Sequence, residues 1–241
     1  MIAPSLVANV SLLCLDAGNT VIFLDHAVVS EVLLGEGFVC DIETLRRAEG
    51  EAKRALSDGT ALAAVPGFSA HAGWSVMVRT MIERAGIPAQ DSARCVRALW
   101  QEHDRLNLWR SVPEGLRESL CALRAAKVPV CIVSNSEGKL SPLFEALALS
   151  ECFDAVIDSA LVGVEKPDPA IFALALERFG VRKENALHLG DTVATDIVGA
   201  QRAGIRTALL DPFAHYEGMY PEVPRVADVR AVVLEIMRQS V

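Results

Sequence analysis

The first 45 residues of this 241-residue chain contain no lysine or arginine. The basic start of a secretory signal is therefore not expected, despite the apolar stretch at residues 10–15. No apolar run approaches the roughly 20 residues that cross a bilayer, and no membrane partner is expected. Basic residues are in deficit throughout: 23 Lys and Arg face 31 Asp and Glu, a formal net charge of −8. A field of that sign repels polyanions and argues against nucleic acid as a partner, while a small anion held by one local cation remains open. Internal repeats and low-complexity tracts are missing. The six cysteines (Cys14, Cys40, Cys95, Cys121, Cys131 and Cys152) show no paired metal-ligand spacing. Free, buried thiols in a reducing cytoplasm are the expectation.

What is present is an apolar content of 51 %, enough at this length for one good core and a smaller second domain. Leu12-Leu13-Cys14-Leu15 has no polar alternation, which suits a strand covered on both faces. From residue 112 helical and strand patterns alternate, with helices expected at 114–126, 140–149, 169–179 and 197–203 and strands at 129–133, 155–157, 186–189 and 207–210. Gly180 and Gly204 fall where helix C-terminal glycines belong. This alternation predicts an α/β fold, a doubly wound parallel-sheet, Rossmann-like core with right-handed crossovers. A last helix carries Val229, Val232, Val233 and Ile236 on one face, and residues 212–224 read as a loop.

Between the first and second strands only helical spacing occurs. Leu45, Ala48, Ala52 and Leu56 form one stripe, Trp74, Met77, Val78, Met81, Ile82 and Ala85 a second, and Val96, Leu99, Trp100, His103 and Leu106 a third. Residues 25–110 are therefore predicted to be an inserted all-helical cap domain, with residues 1–24 and 111–241 forming the core.

Four segments end in chemistry. The first strand stops at Asp16 and turns through Ala17-Gly18-Asn19-Thr20. The second strand stops at Ser134-Asn135, hydroxyl and amide groups suited to an anion. Lys166 precedes Pro167-Asp168-Pro169, where Asp168 is a plausible N-cap and Pro169 a plausible first helical residue. A third strand ends at Gly190-Asp191, with Asp196 five residues on. In open α/β sheets ligands sit beyond the carboxyl ends of strands, and carboxylates, hydroxyl and ammonium there suit a divalent cation and a phosphate.

On these four motifs, in this order, the chain resembles the haloacid dehalogenase superfamily, in the branch with a helical cap inserted after the first strand. The wording Lys166-Pro167-Asp168-Pro169-Ala170-Ile171-Phe172 is especially close. The resemblance implies Mg²⁺ held by Asp16, the Gly18 carbonyl and Asp191, with Asp196 in the same acidic set as a metal residue, through a bound water or by orienting Lys166. It implies Asp16 as the nucleophile, Lys166 and Ser134 as catalytic partners, and Thr20, Ser134, Asn135 and Lys166 as substrate-binding residues. The expected substrate is a small phosphorylated metabolite, and the expected state a monomer or homodimer.

One departure matters. Most phosphatases of this superfamily carry a second aspartate at the position of Gly18, where it protonates the leaving oxygen and later deprotonates water. His26, and after it His71, are candidate replacements. A phosphonatase- or dehalogenase-type hydrolase and a catalytically impaired phosphate-binding protein are the alternatives. The first of these needs a Schiff-base lysine in the cap, where Lys53 is alone and reads as part of a solvated face. His103 and His188 read as core histidines.

Overall fold

The computed structural model describes residues 2–239. Its chain order opens with α1 (Pro4–Val7), β1 (Leu12–Leu15) and β2 (Phe23–Leu24), followed by the helices α2 (His26–Gly35), α3 (Ile42–Asp58), α4 (Ala72–Arg84) and α5 (Ala89–Arg105). It continues with β3 (Trp109–Ser111), α6 (Leu116–Ala125), β4 (Val130–Ser134), α7 (Leu140–Ala146), β5 (Ala155–Asp158), α8 (Ser159–Val162) and α9 (Pro169–Phe179). Last come β6 (Ala186–Gly190), α10 (Val198–Arg202), β7 (Arg206–Leu210), β8 (Arg225–Val226) and α11 (Val229–Gln239). Two compact units result: one built on Trp109–Pro212 with the segments up to Phe23 and from Gly218 onward, the other on Leu24–Leu108 with Phe213–Glu217.

The first unit is a parallel sheet of six strands in the order β5-β4-β1-β6-β7-β8. From β1 the sheet grows through β4 to β5, and the chain then returns to lay β6 on the other edge of β1, where Cys14 faces His188 and Leu15 faces Leu189. Every residue of β1, β4 and β6 is buried, which explains their uninterrupted apolar runs. On one face Leu12, Cys14, Cys131 and Val133 pack with Ile171, Phe172 and Ala175 of α9 and Ala200 of α10. On the other, α6 packs on β4 and on α11, and α1 on β7. Helices on both faces make the sheet doubly wound.

Local signals act as the sequence leads one to expect at α9. Asp168 accepts a hydrogen bond from the Ala170 N–H at 2.9 Å, and Gly180 adopts the left-handed conformation that ends the helix. Elsewhere the structure differs. The helix expected at 140–149 stops at Ala146, with a 3₁₀ turn at Ser150–Cys152. The helix expected at 197–203 is entered through a π turn at Val193–Ile197. The strands β2, β3 and β8 have two or three residues each, too few for a periodic signal.

In the second unit α3 packs on α4 and α2, and α5 packs on α2 and α4. Trp74 and Trp100 meet edge-to-face at 4.9 Å, and the His71 ring lies 4.3 Å from Trp100. Two expectations need correction here. Leu56 is exposed, because the buried stripe of α3 continues through Ala52 to Ala55 instead. Lys53 is not on a solvated face but buried in the company of Glu49. The stretch at 212–224 is the loop expected, and its residues 213–217 belong to this unit: His215 is buried, its carbonyl accepts from Arg54 Nη1 at 2.8 Å, and its ring lies where a Cβ on Gly50 would come within 2.6 Å. Gly50 in the middle of a helix, an otherwise unfavourable choice, makes that approach possible. All six cysteines are free thiols, and among the described residues no helix is long and apolar enough to cross a membrane.

Candidate active site

The reversal of strand order between β1 and β6 leaves a crevice at their carboxyl ends, and an acid directly follows each strand. Asp16 follows β1, its backbone N–H donating to the Leu189 carbonyl at 2.9 Å. Asp191 follows β6. The π turn brings Asp196 back over Gly190, so closely that any Cβ on residue 190 would overlap the Asp196 carboxyl group. Ligand oxygens of Asp16, Asp191 and Asp196 all lie within 4.8 Å of one another, and all three residues are buried.

Lys166 reaches into this set. Its Nζ donates to Asp16 Oδ1 at 2.5 Å and to Asp196 Oδ1 at 2.6 Å. The lysine is held by its backbone: its N–H donates to Asn135 Oδ1 at 2.7 Å, and Asn135 Nδ2 donates to its carbonyl at 2.9 Å. Asn135 thus clamps the Lys166 peptide from the end of β4. Ser134, the last residue of β4, is buried opposite Asp158 in the sheet register. Gly18 and Thr20 lie in the turn after β1, where the Thr20, Val21 and Ile22 amides all donate to the Ala17 carbonyl. Thr20 Oγ1 is buried with no hydrogen-bond partner among the described residues.

The electrostatics are those of a site short of positive charge. Burial, opposed by Lys166 and reinforced by Asp196 and Asp191, pushes the Asp16 carboxyl up to about 7. Burial acts the same way on Asp196, but Lys166 and the His188 hydrogen bond outweigh it and hold that carboxyl well below its ordinary range. Burial would lower the Lys166 ammonium, yet Asp16 and Asp196 raise it further than burial depresses it. Three carboxylates against one ammonium leave an excess of two negative charges in a buried space, which is costly without a compensating cation. An all-oxygen donor set with that excess fits Mg²⁺.

Each Asp196 oxygen is already engaged: Oδ1 by Lys166 and by His188 Nε2 at 3.2 Å, Oδ2 by the Thr192 N–H at 3.0 Å. Burial lowers the His188 pKa against the pull of Asp196, so this strand histidine supports an acid rather than only filling the core. His26 and His71 belong to the second unit, where His26 Nε2 lies 2.9 Å from Glu49 Oε2 and His71 packs on Trp100. His103 Nδ1 accepts from the Leu108 N–H at 3.2 Å, a structural role.

Sequence reasoning missed Asp158, Asn19 and Trp109. Asp158 accepts from Ser136 Oγ at 2.5 Å and from the Gly138 N–H at 3.0 Å, fixing the loop after β4. Its signal was the one that exposed Asp16, an apolar run ending in an acid. Asn19 and Trp109 hydrogen-bond to each other at 3.1 Å from positions 90 residues apart, and no local pattern announces such a pair.

A six-stranded doubly wound parallel sheet with an acid–lysine cluster at its switch point defines an α/β protein of the Rossmann-like class. The chain belongs to the haloacid dehalogenase-like hydrolases, whose family profile matches residues 10–204. It is 31 % identical over 204 residues to the haloacid dehalogenase-like hydrolase domain-containing protein 3 of Mus musculus, covering 83 % of this chain and 81 % of that one. It is 30 % identical over 199 residues to a phosphoserine phosphatase of Thermus thermophilus, covering 78 % and 76 %. The magnesium-bound HAD-hydrolase YfnB from Bacillus subtilis shares the fold, with a TM-score of 0.67 at 17 % identity over 94 % of this chain and 98 % of that one.

Proposed function

We propose that this hydrolase is a Mg²⁺-dependent phosphatase of a small phosphorylated metabolite in the cytoplasm, acting through an aspartyl-phosphate on Asp16. The observation that carries the reading is the Lys166 ammonium joined to both Asp16 and Asp196 beside Asp191. The phosphoserine phosphatase to which the chain is similar points the same way. Asp16, the Gly18 carbonyl and Asp191 would hold the ion, and the donors already on Asp196 favour a role for it in orienting Lys166. Bound Mg²⁺ supplies the positive charge that lets a carboxylate approach a phosphate dianion.

Asp16 Oδ attacks phosphorus, the ester P–O bond breaks, and the leaving oxygen departs with the bonding pair. Lys166, Ser134 and Thr20 hold the transferring oxygens, while Asn135 sets the height of Lys166. Water then attacks the aspartyl-phosphate, the P–O bond to Asp16 breaks, and inorganic phosphate leaves with the carboxylate restored. Residues 25–110 are assigned to substrate selection as a cap domain. The burial of Lys53 makes a Schiff-base phosphonatase worth weighing, but Lys53 is buried beside the Glu49 carboxyl group, a partner that accounts for the lysine without a substrate.

The test is Mg²⁺-supported release of phosphate from p-nitrophenyl phosphate, acetyl phosphate and a panel of sugar phosphates. Turnover abolished in Asp16→Asn supports the reading. No turnover of any of these by the wild-type protein, with inorganic phosphate still bound, leaves the impaired phosphate-binding protein in its place.

A further inference from the structure

Trp109 is one of three tryptophans, and the other two, Trp74 and Trp100, lie in the second unit. No step above uses it. Its indole Nε1–H donates to Asn19 Oδ1 at 3.1 Å, and Asn19 Nδ2 donates to Asp191 Oδ2 at 3.4 Å. Donor chemistry dictates the direction of this chain. An indole N–H can only donate and an ionised carboxylate can only accept, so the amide between them fits one way round, with its oxygen toward the indole and its nitrogen toward the acid.

The backbone of Asn19 is fixed as well. Its φ of 53° is in the left-handed region, which asparagine tolerates better than most residues with a side chain. Its N–H donates to the Ile22 carbonyl at 2.6 Å. The same indole borders Gly18, placed 3.6 Å from where a Cβ on that residue would be. One ring therefore abuts the residue whose carbonyl is a proposed ligand and, through Asn19, holds the carboxylate of another.

Resting on the metal reading above, we propose that Trp109 and Asn19 are positioning residues for the magnesium site. The indole locks the Asn19 amide, the amide locks the Asp191 carboxylate, and the remaining lone pairs of that carboxylate are thereby aimed before the ion arrives. Groups that orient a ligand in this way typically change metal affinity by about 10- to 100-fold. The long Asn19–Asp191 bond places this pair at the lower end.

Isothermal titration of the metal-free protein with Mg²⁺ tests it in wild type, Trp109→Phe, Asn19→Gly, the double variant and Asp191→Asn, with folding followed by circular dichroism. Phenylalanine keeps the ring against Gly18 and removes only the N–H. Glycine keeps the left-handed backbone and removes the amide. The expected result is a Kd raised about 10-fold in each single variant, a double variant no weaker than Asn19→Gly alone, and kcat restored at saturating Mg²⁺. Wild-type affinity in both single variants, or additive losses in the double, overturns the relay. Undiminished binding in Asp191→Asn overturns the metal reading itself. Should Asn19→Gly fail to fold, Trp109→Phe decides the question alone.

Discussion

Two glycines frame the site, and they are glycine for different reasons. At Gly190 the Asp196 carboxyl occupies the space of a Cβ, so the residue is a steric requirement. At Gly18 a Cβ would make only an ordinary contact with Trp109 at 3.6 Å, and its consequence is chemical. Without an acid there, the leaving oxygen of an alkyl phosphate departs unprotonated, and general acid catalysis is typically worth about 100- to 10,000-fold. Acyl and aryl phosphates, whose leaving groups are already stable anions, lose far less. Gly18→Asp is therefore expected to raise kcat on alkyl phosphates by about 100-fold or more while barely changing acetyl phosphate. Initial rates across leaving groups of graded pKa read this out as a flatter dependence. An unchanged slope would mean that another side chain already serves as the acid.

At the scale of elements, legibility in the sequence followed burial. β1, β4 and β6 are covered on both faces, so their apolar runs and terminal polar residues could be read directly, and with them Asp16, Ser134 and Asp191. Lys166 was readable because Asp168 and Pro169 announce the start of α9. What depends on contacts between distant segments was not: Lys53 sits in a helix whose charged neighbours suggest solvent, yet the fold buries it with Glu49, His26 and His215. Glu49 shows the consequence. Burial pushes its carboxyl up, but the His26 hydrogen bond and Lys53 outweigh that, and the pKa falls below its ordinary 4.5. A carboxyl depressed in the folded state adds stability that is fully present above its unfolded pKa, near 4.5, and is lost as pH falls through the folded value. Glu49→Gln is expected to cost about 3–5 kcal/mol at pH 7, the scale for leaving a buried charge without its partner. In urea titrations across pH the gap to wild type should hold between pH 6 and 8 and shrink below about pH 4. A gap that is the same at pH 3 and pH 7 would mean that packing, not charge, sets the cost.

For the whole molecule, the net charge of −8 complicates any claim about a cation, because Mg²⁺ screens an acidic protein whether or not it has a site. Specific binding and screening differ in what they depend on. A ligand that binds only the folded state stabilises it by about 2.7 kcal/mol at 100 times its Kd, and for a chain of this size that raises Tm by about 5–10 °C. Screening instead follows ionic strength, is matched by NaCl, and is nearly indifferent to one charge among the 31 acidic residues. The expected outcome in calorimetry is a rise with Mg²⁺ beyond that of NaCl at equal ionic strength, absent in Asp191→Asn. Hydrogen exchange should localise the gain to the amides around β1 and β6, whose ends carry Asp16 and Asp191. Equal shifts in wild type and Asp191→Asn would assign the effect to the surface field, and the excess of two negative charges at the switch point would then be halved by one proton on Asp16, the carboxyl that its surroundings push up to about 7.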